Sequence, residues 1–352
     1  MHERGEPVVL GTKPEAGGDE SEYLDVVGVG SPLVDVLSTT EDSRLVELGL
    51  EKGSMTLVDL EAAERLYGAM GPAVEVSGGS AANTMAGIAA LGGSAGFVGK
   101  VADDPLGEVF IHDIRAAGVA YHPVLDPSAG DLGTGRCLVF VTGDAERTMA
   151  THLGAATTIT PADLPVSLVA RGSLLYLEGY LWDLPPAKDA MRRAIEVSHE
   201  NDGAVALSLS DSFCVERHRR EFLDLLTGEI DVLFANEDEI VALFGASSFE
   251  AALDDVEETG VLAALTRGAG GSVVVTPNGV VHVGATPVER VVDTTGAGDL
   301  FAAGFLYGLT HGMEPEACAQ LGSLCAAEVI GHLGARPEAD LAELAEAAGL
   351  PL

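Results

Sequence analysis

VVDTTGAGDLFAAGF, residues 291–305, is the most informative stretch of the chain. The small residues at 296–298 leave backbone N–H groups uncovered, and the apolar spacing from Asp299 to Gly308 predicts a helix. A helix N-terminus carries unpaired N–H donors and the positive end of the helix dipole. The stretch therefore predicts an anion site that can stabilise charge on a transferring phosphoryl group. Asp299 is either the N-cap of this helix or a catalytic base beside the anion.

Around this stretch, short apolar runs bounded by turn residues alternate with helical patterns. The strand candidates are residues 24–30, Ala95–Val98, 174–177, 204–209, 232–235, Leu262–Thr266 and Ser272–Thr276. Helical patterns lie between several of them, at residues 83–91, 106–117, 186–199 and 249–258. Strands that alternate with helices indicate βαβ units, so we predict an α/β fold with a central, mostly parallel sheet and helices on both faces.

Two segments interrupt this alternation. Residues 38–59 and 120–155 are interpreted as extended segments that form a small β-sheet lid over the site. The nucleotide- and substrate-binding core is then formed by residues 21–37, 60–119 and 156–348. Residues 1–20 are polar and acidic, and we expect them to form a disordered tail.

Composition excludes several classes of function. The chain has 19 basic and 55 acidic residues and a formal net charge of −36, which argues against a nucleic-acid-binding surface. No run reaches the roughly 18 apolar residues of a membrane span, and no secretory signal is recognisable, so we expect a cytoplasmic protein without a membrane partner. The four cysteines form no C-x-x-C pair, and we expect buried free thiols.

The motif DTTGAGD at 293–299, followed by an Ala/Gly-rich helix, resembles the C-terminal signature of the ribokinase (PfkB) family of carbohydrate and nucleoside kinases. A second family signature is matched by GGSAANT at 78–84, with LGG at 91–93 and GKVADD at 99–104 after it. The resemblance covers residues 23–337. It implies a ribokinase-like fold with a small β-sheet lid, and an ATP-dependent phosphotransferase with an alcohol group as acceptor.

The resemblance implies a role for each matching residue. Asp299 would accept the proton of the acceptor hydroxyl, while the N–H groups of Gly296, Ala297 and Gly298 would hold the transferring phosphoryl oxygens. A carboxylate can accept hydrogen bonds from two adjacent hydroxyls of a ribose-like ring, and glycines let the backbone approach that ring closely. The positions that match the family's acceptor-binding residues are Asp35, Gly78, Gly79 and Asn83.

Further matches concern the nucleotide. Residues 236–239, NEDE, resemble the family's Asn-x-x-Glu element, so Asn236 is expected at ATP and Glu239 at Mg²⁺ through the ion's water shell. Thr266 and Gly268 lie in a stretch that resembles the nucleotide-binding turn and would line the ATP site. The resemblance thus implies ATP and Mg²⁺ as cofactors.

Asp293 and Thr295 occupy positions that in many relatives help to bind a monovalent cation, together with main-chain carbonyls around Gly334. The resemblance therefore adds K⁺ to the expected ions. Two other nucleotide-binding motifs are absent from the chain. No P-loop motif occurs, and the GVG at 28–30 lacks the third glycine of a dinucleotide-binding fingerprint.

The acceptor is inferred from finer similarities. Ribokinase-like members commonly read GGKGAN where residues 78–83 read GGSAAN, which argues against free ribose. Residues 207–213 and 146–156 resemble stretches of adenosine kinases. We therefore predict phosphorylation of a nucleoside, with the 5′-hydroxyl of adenosine as the first choice. The alternatives are a sugar kinase of the fructose or ribose type and a catalytically silent binder of a nucleoside or sugar.

A purine requires an apolar or aromatic slot. The candidates on the predicted lid are Met55, Leu138, Phe140 and Met149, although ordinary packing of the lid sheet explains them equally well. The lid pattern is compatible with a monomer and with a homodimer formed through the lid. Small molecules, a nucleoside or sugar together with ATP, are the expected partners.

Overall fold

The computed structural model describes residues 23–125, 132–144, 146–350 and 352, so the predicted tail at residues 1–20 lies outside the described residues. The strands are β1 Leu24–Val29, β2 Leu33–Thr39, β3 Met55–Leu57, β4 Val74–Gly78, β5 Ala95–Val98, β6 Lys100–Val101, β7 Ala120–Tyr121, β8 Val124–Leu125, β9 Gly135–Val141, β10 Arg147–His152, β11 Gly172–Glu178, β12 Ala204–Ser208, β13 Val232–Asn236, β14 Leu262–Thr266, β15 Ser272–Thr276 and β16 Gly279–Val283. The helices are α1 Asp42–Leu48, α2 Leu60–Tyr67, α3 Ser80–Ala90, α4 Pro105–Ala116, α5 Val166–Val169, α6 Pro185–Glu200, α7 Ser212–Leu226, α8 Glu237–Phe244, α9 Phe249–Thr259, α10 Ala297–Thr310, α11 Pro315–Val329 and α12 Leu341–Ala347.

A large sheet of nine strands forms the centre of the molecule, in the order β16-β15-β14-β13-β12-β11-β1-β5-β7. The pairs from β7 to β14 are parallel, and β15 and β16 add an antiparallel edge. This topology confirms the predicted α/β fold. The strands predicted at β5, β14 and β15 have the predicted bounds.

Side chains alternate along each strand, so every strand presents apolar groups to both faces of the large sheet. Helices therefore cover both faces. Val27 and Leu175 point to the face covered by α5 to α9, where Phe222 of α7 packs. Val26 and Tyr176 point to the opposite face, which packs against α3, α4, α10, α11 and α12. Two apolar cores therefore hold the strand ends rigidly at the edge where the predicted site residues lie.

A separate small sheet has the strand order β3-β10-β9-β2-β4. It reaches beyond the predicted ranges 38–59 and 120–155, because it also contains β2 and β4, whereas β7 pairs with β5 of the large sheet. The chain passes from β1 of the large sheet into β2 of the small one within residues 30–32, and no polar linker marks this transition. Sequence pattern alone therefore gave no sign of the boundary.

One face of the small sheet packs against α1 and α2, where Val36, Leu138 and Phe140 contact Leu45 and Leu66. The other face carries a second apolar set. This division arises from the two-residue period of the strands, which sends neighbouring side chains to opposite faces.

All four cysteines are buried and free, as predicted. Within the described parts of the chain, no helix combines the length and the apolar character that crossing a membrane requires.

Candidate active site

The N-terminus of α10 lies at the centre of the site. Gly296 precedes the helix with φ of 79°, and no side chain caps this end. The N–H of Ala297 donates to the carbonyl of Thr294 at 3.2 Å, so one of the three N–H groups predicted for the anion site already has a partner. Gly298 is exposed, and a Cβ at this position would meet no atom within 4 Å. The helix therefore presents its positive end to open space, as an anion site requires.

Asp299 lies in the first turn of this helix, and α3 holds its carboxylate. Ser80 donates its hydroxyl to Oδ1 at 2.7 Å, and Asn83 donates its side-chain amide to Oδ2 at 3.0 Å. Burial raises the pKa of Asp299 above its ordinary value, although these two donors and the charge of Arg336 oppose the shift. Asp299 is thus not an N-cap, because its side chain accepts hydrogen bonds from a different helix.

The other predicted acidic residue of the acceptor site, Asp35, lies on β2 against the glycines that end β4. A Cβ on Gly78 would come within 2.3 Å of Asp35 Oδ2, and a Cβ on Gly79, whose φ is 97°, would come within 2.2 Å of the Ser31 carbonyl oxygen. Only glycine allows this approach at both positions. Burial raises the pKa of Asp35 to about 6, against the opposing charges of Arg336 and Arg147.

Arg336 is a site residue that sequence reasoning missed. Its guanidinium donates to the carbonyl oxygens of Ser77 at 3.2 Å and Ala82 at 2.8 Å, on either side of the glycine pair. Burial lowers the pKa of Arg336 to about 10, while Asp35 and Asp299 oppose that shift. A single cation therefore stabilises the backbone of the glycine turn and both carboxylates. The only sequence signal for Arg336 is its proximity to Gly334, around which the family resemblance implies main-chain carbonyl ligands for a cation.

Glu178, at the end of β11, is a second residue that was missed. Its Oε1 accepts the N–H of Ser31 at 2.7 Å and its Oε2 accepts the N–H of Ala81 at 3.0 Å, and its side chain is buried. Burial raises the pKa of Glu178 to about 7. The residue joins the turn after β1 to the first turn of α3. A glutamate that ends an apolar strand was the available sequence signal.

The predicted Asn236 and Glu239 form a capping box at the start of α8. Asn236 donates its side-chain amide to Glu239 Oε1 at 2.6 Å and its N–H to Oε2 at 3.0 Å. Burial raises the pKa of Glu239 to about 7, and the carboxylates of Asp211 and Asp238 add to the shift. A buried carboxylate beside other carboxylates fits a nearby hydrated divalent cation. In the described portion of the chain, no cluster of three His, Cys, Asp or Glu residues is arranged to hold a metal directly.

Three cavities surround these residues. Cavity A, of about 560 Å³, contains Thr266, Gly268, Ala297 and Gly298 in its wall. Cavity B, of about 470 Å³, is lined by Asp299, Glu239 and Asn236 and shares Thr266 and Gly298 with cavity A. Cavity C, of about 450 Å³, is lined by Asp35 and Arg336. The predicted ATP and catalytic residues therefore line two cavities that share wall residues at the start of α10, and Asp35 lines a third.

Asp293 and Thr295, the expected cation ligands, contact an arginine of the small sheet. Arg147 of β10 forms an ion pair with Asp293 and donates to Thr295 Oγ1 at 2.7 Å. Asp293 also accepts the N–H groups of Thr295 at 2.9 Å and Gly334 at 2.8 Å. The oxygens expected to bind K⁺ are thus engaged by protein donors.

The apolar slot predicted on the small sheet requires correction. Leu138 and Phe140 pack against α1 and α2, away from the cavities, and Met55 is exposed. Met149 does line cavity B. Both faces of β9 are buried, so its sequence shows no alternation from which the inward-facing residues could be chosen. The face towards the cavities carries Met149 together with four residues that were not predicted: Leu37, Cys137, Val139 and Val141.

Residues 207–213, which resemble a stretch of adenosine kinases, end at the same site. Ser208 and Ser210 line cavity B, and the carbonyl of Ser210 accepts the hydroxyl of Tyr180 at 3.1 Å. Phe213, in contrast, is 71% exposed in the first turn of α7 and contributes to none of the three cavities.

Comparison with known proteins assigns this chain to a family. An adenosine kinase from Sinorhizobium meliloti is 49% identical, with a TM-score of 0.86 over 93% of this chain and 99% of that one. A probable sugar kinase from Rhizobium etli CFN 42 is 45% identical, with a TM-score of 0.88 over 94% of this chain and 100% of that one. An adenosine kinase from Saccharomyces cerevisiae is 29% identical, over 88% of this chain and 95% of the length of that kinase. The model of the pfkB family of carbohydrate kinases matches residues 56–341, and the chain therefore belongs to this family of kinases.

Proposed function

We propose that this kinase transfers the γ-phosphoryl group of ATP to the 5′-hydroxyl of a purine nucleoside, with adenosine as the preferred acceptor. The observation that carries the proposal is the position of Asp299. Its carboxylate lies in the wall of cavity B, one residue from the exposed Gly298 that cavities A and B share. A base and an anion site are thereby adjacent, as transfer of a phosphoryl group to a hydroxyl requires.

In this proposal Asp299 accepts the proton of the acceptor hydroxyl as that oxygen attacks the γ-phosphorus. Ser80 and Asn83 hold the two carboxylate oxygens in place. The raised pKa of Asp299 makes the carboxylate a stronger base than an exposed aspartate. The first turn of α10, with Gly296, Ala297 and Gly298, stabilises the charge on the transferring group.

We assign the acceptor to the region of Asp35, Gly78, Gly79 and Asn83. The Oδ1 atom of Asn83 is buried and has no hydrogen-bond partner among the described residues. Such an atom favours a ligand that donates a hydrogen bond, and a sugar hydroxyl is a suitable donor. Asp35, in the wall of cavity C, can accept from two neighbouring hydroxyls.

We assign ATP to cavity A and the adjoining part of cavity B. Thr266 and Gly268 line cavity A, and Asn236 lines cavity B. Glu239 would hold Mg²⁺ through water, because its buried carboxylate has other carboxylates as charged neighbours. When bound, Mg²⁺ neutralises phosphate charge during the transfer.

The choice of adenosine rests on similarity and on the apolar face of the small sheet. Two of the relatives described above are named adenosine kinases. Leu37 and Val141 line cavity C beside Asp35, and a purine ring can bury its faces against such side chains. The probable sugar kinase of Rhizobium etli supports the second candidate, a sugar kinase that uses the same base and anion site.

The test is ATP turnover with Mg²⁺ against adenosine, inosine, guanosine, cytidine, ribose and fructose, by the wild type and by Asp299→Asn. We expect purine nucleosides to be phosphorylated and kcat to fall by roughly 10²- to 10⁴-fold in the variant. Asp189→Asn is the matched control, because Asp189 is exposed on α6. Turnover of sugars alone would support the second candidate. Binding of an acceptor without turnover of any of them would contradict a catalytic role and indicate a silent binder.

A further inference from the structure

Asp293 is a buried anion beside the catalytic helix. It lies three residues before Gly296, and its side chain has no exposed surface. A carboxylate at such a position requires hydrogen bonds and a positive charge, since burial of an unpaired charge is strongly unfavourable. The N–H groups of Thr295 and Gly334 provide two hydrogen bonds. If a side chain supplies the positive charge, Asp293 requires no bound cation.

Arg147 supplies that charge from a different part of the fold. It is the first residue of β10, in the small sheet, and its guanidinium pairs with Asp293 Oδ2. A second nitrogen of the same group donates to Thr295 Oγ1 at 2.7 Å. The side chain of Arg147 is 9% exposed, so solvent screens the pair weakly. Burial lowers the pKa of Arg147 to about 10, which leaves the guanidinium charged at neutral pH.

A monovalent cation at Asp293 and Thr295 does not fit this arrangement. Such an ion would compete with the N–H groups of Arg147 for Asp293 Oδ2 and Thr295 Oγ1. It would also place a second positive charge within a few ångströms of the guanidinium, in a poorly screened environment. The oxygens that the family resemblance assigns to K⁺ therefore already face a cation of the chain itself, the Arg147 guanidinium.

We propose that Arg147 is the built-in counter-ion of Asp293, and that this kinase consequently needs no monovalent cation beside the N-terminus of α10. Arg147 is a positioning residue in this view, because it acts through Asp293 and Thr295 on the backbone that begins the helix. The inference goes beyond the proposed function, since it holds for any acceptor hydroxyl.

The first experiment uses the wild type alone. Its thermal unfolding midpoint is measured without substrates in 100 mM KCl and in 100 mM choline chloride, and its kcat and KM are measured in the same two salts. We expect the midpoints to agree within about 1 °C and kcat/KM to agree within about twofold, because a site without K⁺ gains no binding stabilisation. A midpoint several degrees higher in KCl would overturn the proposal, as would activation of fivefold or more.

The second experiment removes the guanidinium. Arg147→Ala should lower both the unfolding midpoint and kcat, and about 20 mM guanidinium or K⁺ should restore part of each loss. Arg136→Ala is the control, because Arg136 lies on the neighbouring strand β9 with its guanidinium over the ring of Tyr67. Losses and recovery of the same size in both variants would contradict the assignment.

These outcomes are separable from a failure of the proposed function. The unfolding midpoints require neither ATP nor an acceptor, so they test the counter-ion even if no nucleoside is phosphorylated. The wild-type comparison also remains decisive if Arg147→Ala does not fold.

Discussion

At the scale of single residues, the site depends on donors that keep a partly buried carboxylate ionised. Ser80 and Asn83 each donate to one oxygen of Asp299, and both oppose the rise that burial causes in its pKa. Hydrogen bonds to charged groups are worth about 1.5 to 3 kcal/mol. The two donors therefore lower the pKa of Asp299, and removal of one of them should change how kcat depends on pH.

Ser80→Ala should reduce kcat about tenfold, because Asp299 loses one of the two donors that orient it. The same change removes a group that lowers the pKa of Asp299, so this pKa rises and the acidic limb of the kcat profile moves to higher pH. The measurement is kcat between pH 5 and 9. Ser80→Thr keeps a hydroxyl and should retain the wild-type profile, whereas an unshifted limb in Ser80→Ala would contradict the assignment.

Gly78→Ala tests the acceptor site. The added methyl group would overlap the Asp35 carboxylate, which lies within 2.3 Å of the Cβ position, so the carboxylate must move. We expect KM for the acceptor to rise tenfold or more while KM for ATP changes less than threefold. Gly228→Ala is the control, since its Cβ would meet no atom within 4 Å. Equal increases in both KM values would argue against an acceptor role for Asp35.

At the scale of secondary structure elements, Glu178 joins the ends of β1 and β11 to the start of α3. This buried carboxylate has its pKa raised from 4.5 to about 7 by burial, so the folded protein binds its proton more tightly than the unfolded chain does. The associated stability is fully present below pH 4.5 and is lost as pH rises through about 7. The turn after β1 and the first turn of α3 are thus linked through a group that titrates near neutral pH.

Glu178→Gln should remove this pH dependence. Between pH 5 and 8 we expect the unfolding free energy of the wild type to fall by about 2 kcal/mol more than that of the variant, since one pKa unit corresponds to about 1.4 kcal/mol. Urea unfolding at four pH values measures the difference. Glu75→Gln, on an exposed position of β4, should follow the wild type. Parallel curves for wild type and Glu178→Gln would disprove the linkage.

At the scale of the whole molecule, the small sheet stands over the carboxyl-end edge of the large one and contributes Asp35, Arg147 and Met149 to the site. Phosphoryl transfer to a hydroxyl must exclude competing water, so we expect the small sheet to act as a lid that closes on substrate. Because Asp35 is proposed to bind hydroxyls of the phosphoryl acceptor, the small sheet itself forms part of the proposed binding surface.

Amide hydrogen exchange can test this closure. Adenosine with a non-hydrolysable ATP analogue should slow exchange several-fold in β9 and β10, because closure buries their inner face. Helix α9, which packs on the face of the large sheet opposite to that covered by α10, should remain unchanged and serves as the internal control. Equal exchange of the small sheet with and without both ligands would contradict lid closure.

The sequence by itself determined the α/β class, several strand bounds of the large sheet and the position of Asp299 at the start of a helix. These features depend on local patterns, namely apolar runs, turn residues and small residues before a helix, which persist whatever the chain contacts elsewhere. Only the tertiary structure decided that Ser80, Glu178 and Arg336 lie at the candidate site, and that Arg147 faces Asp293. Those contacts join residues far apart in the chain, so a local pattern can mark one partner, as the motif at 78–84 marks Ser80, but it cannot show which distant side chains meet.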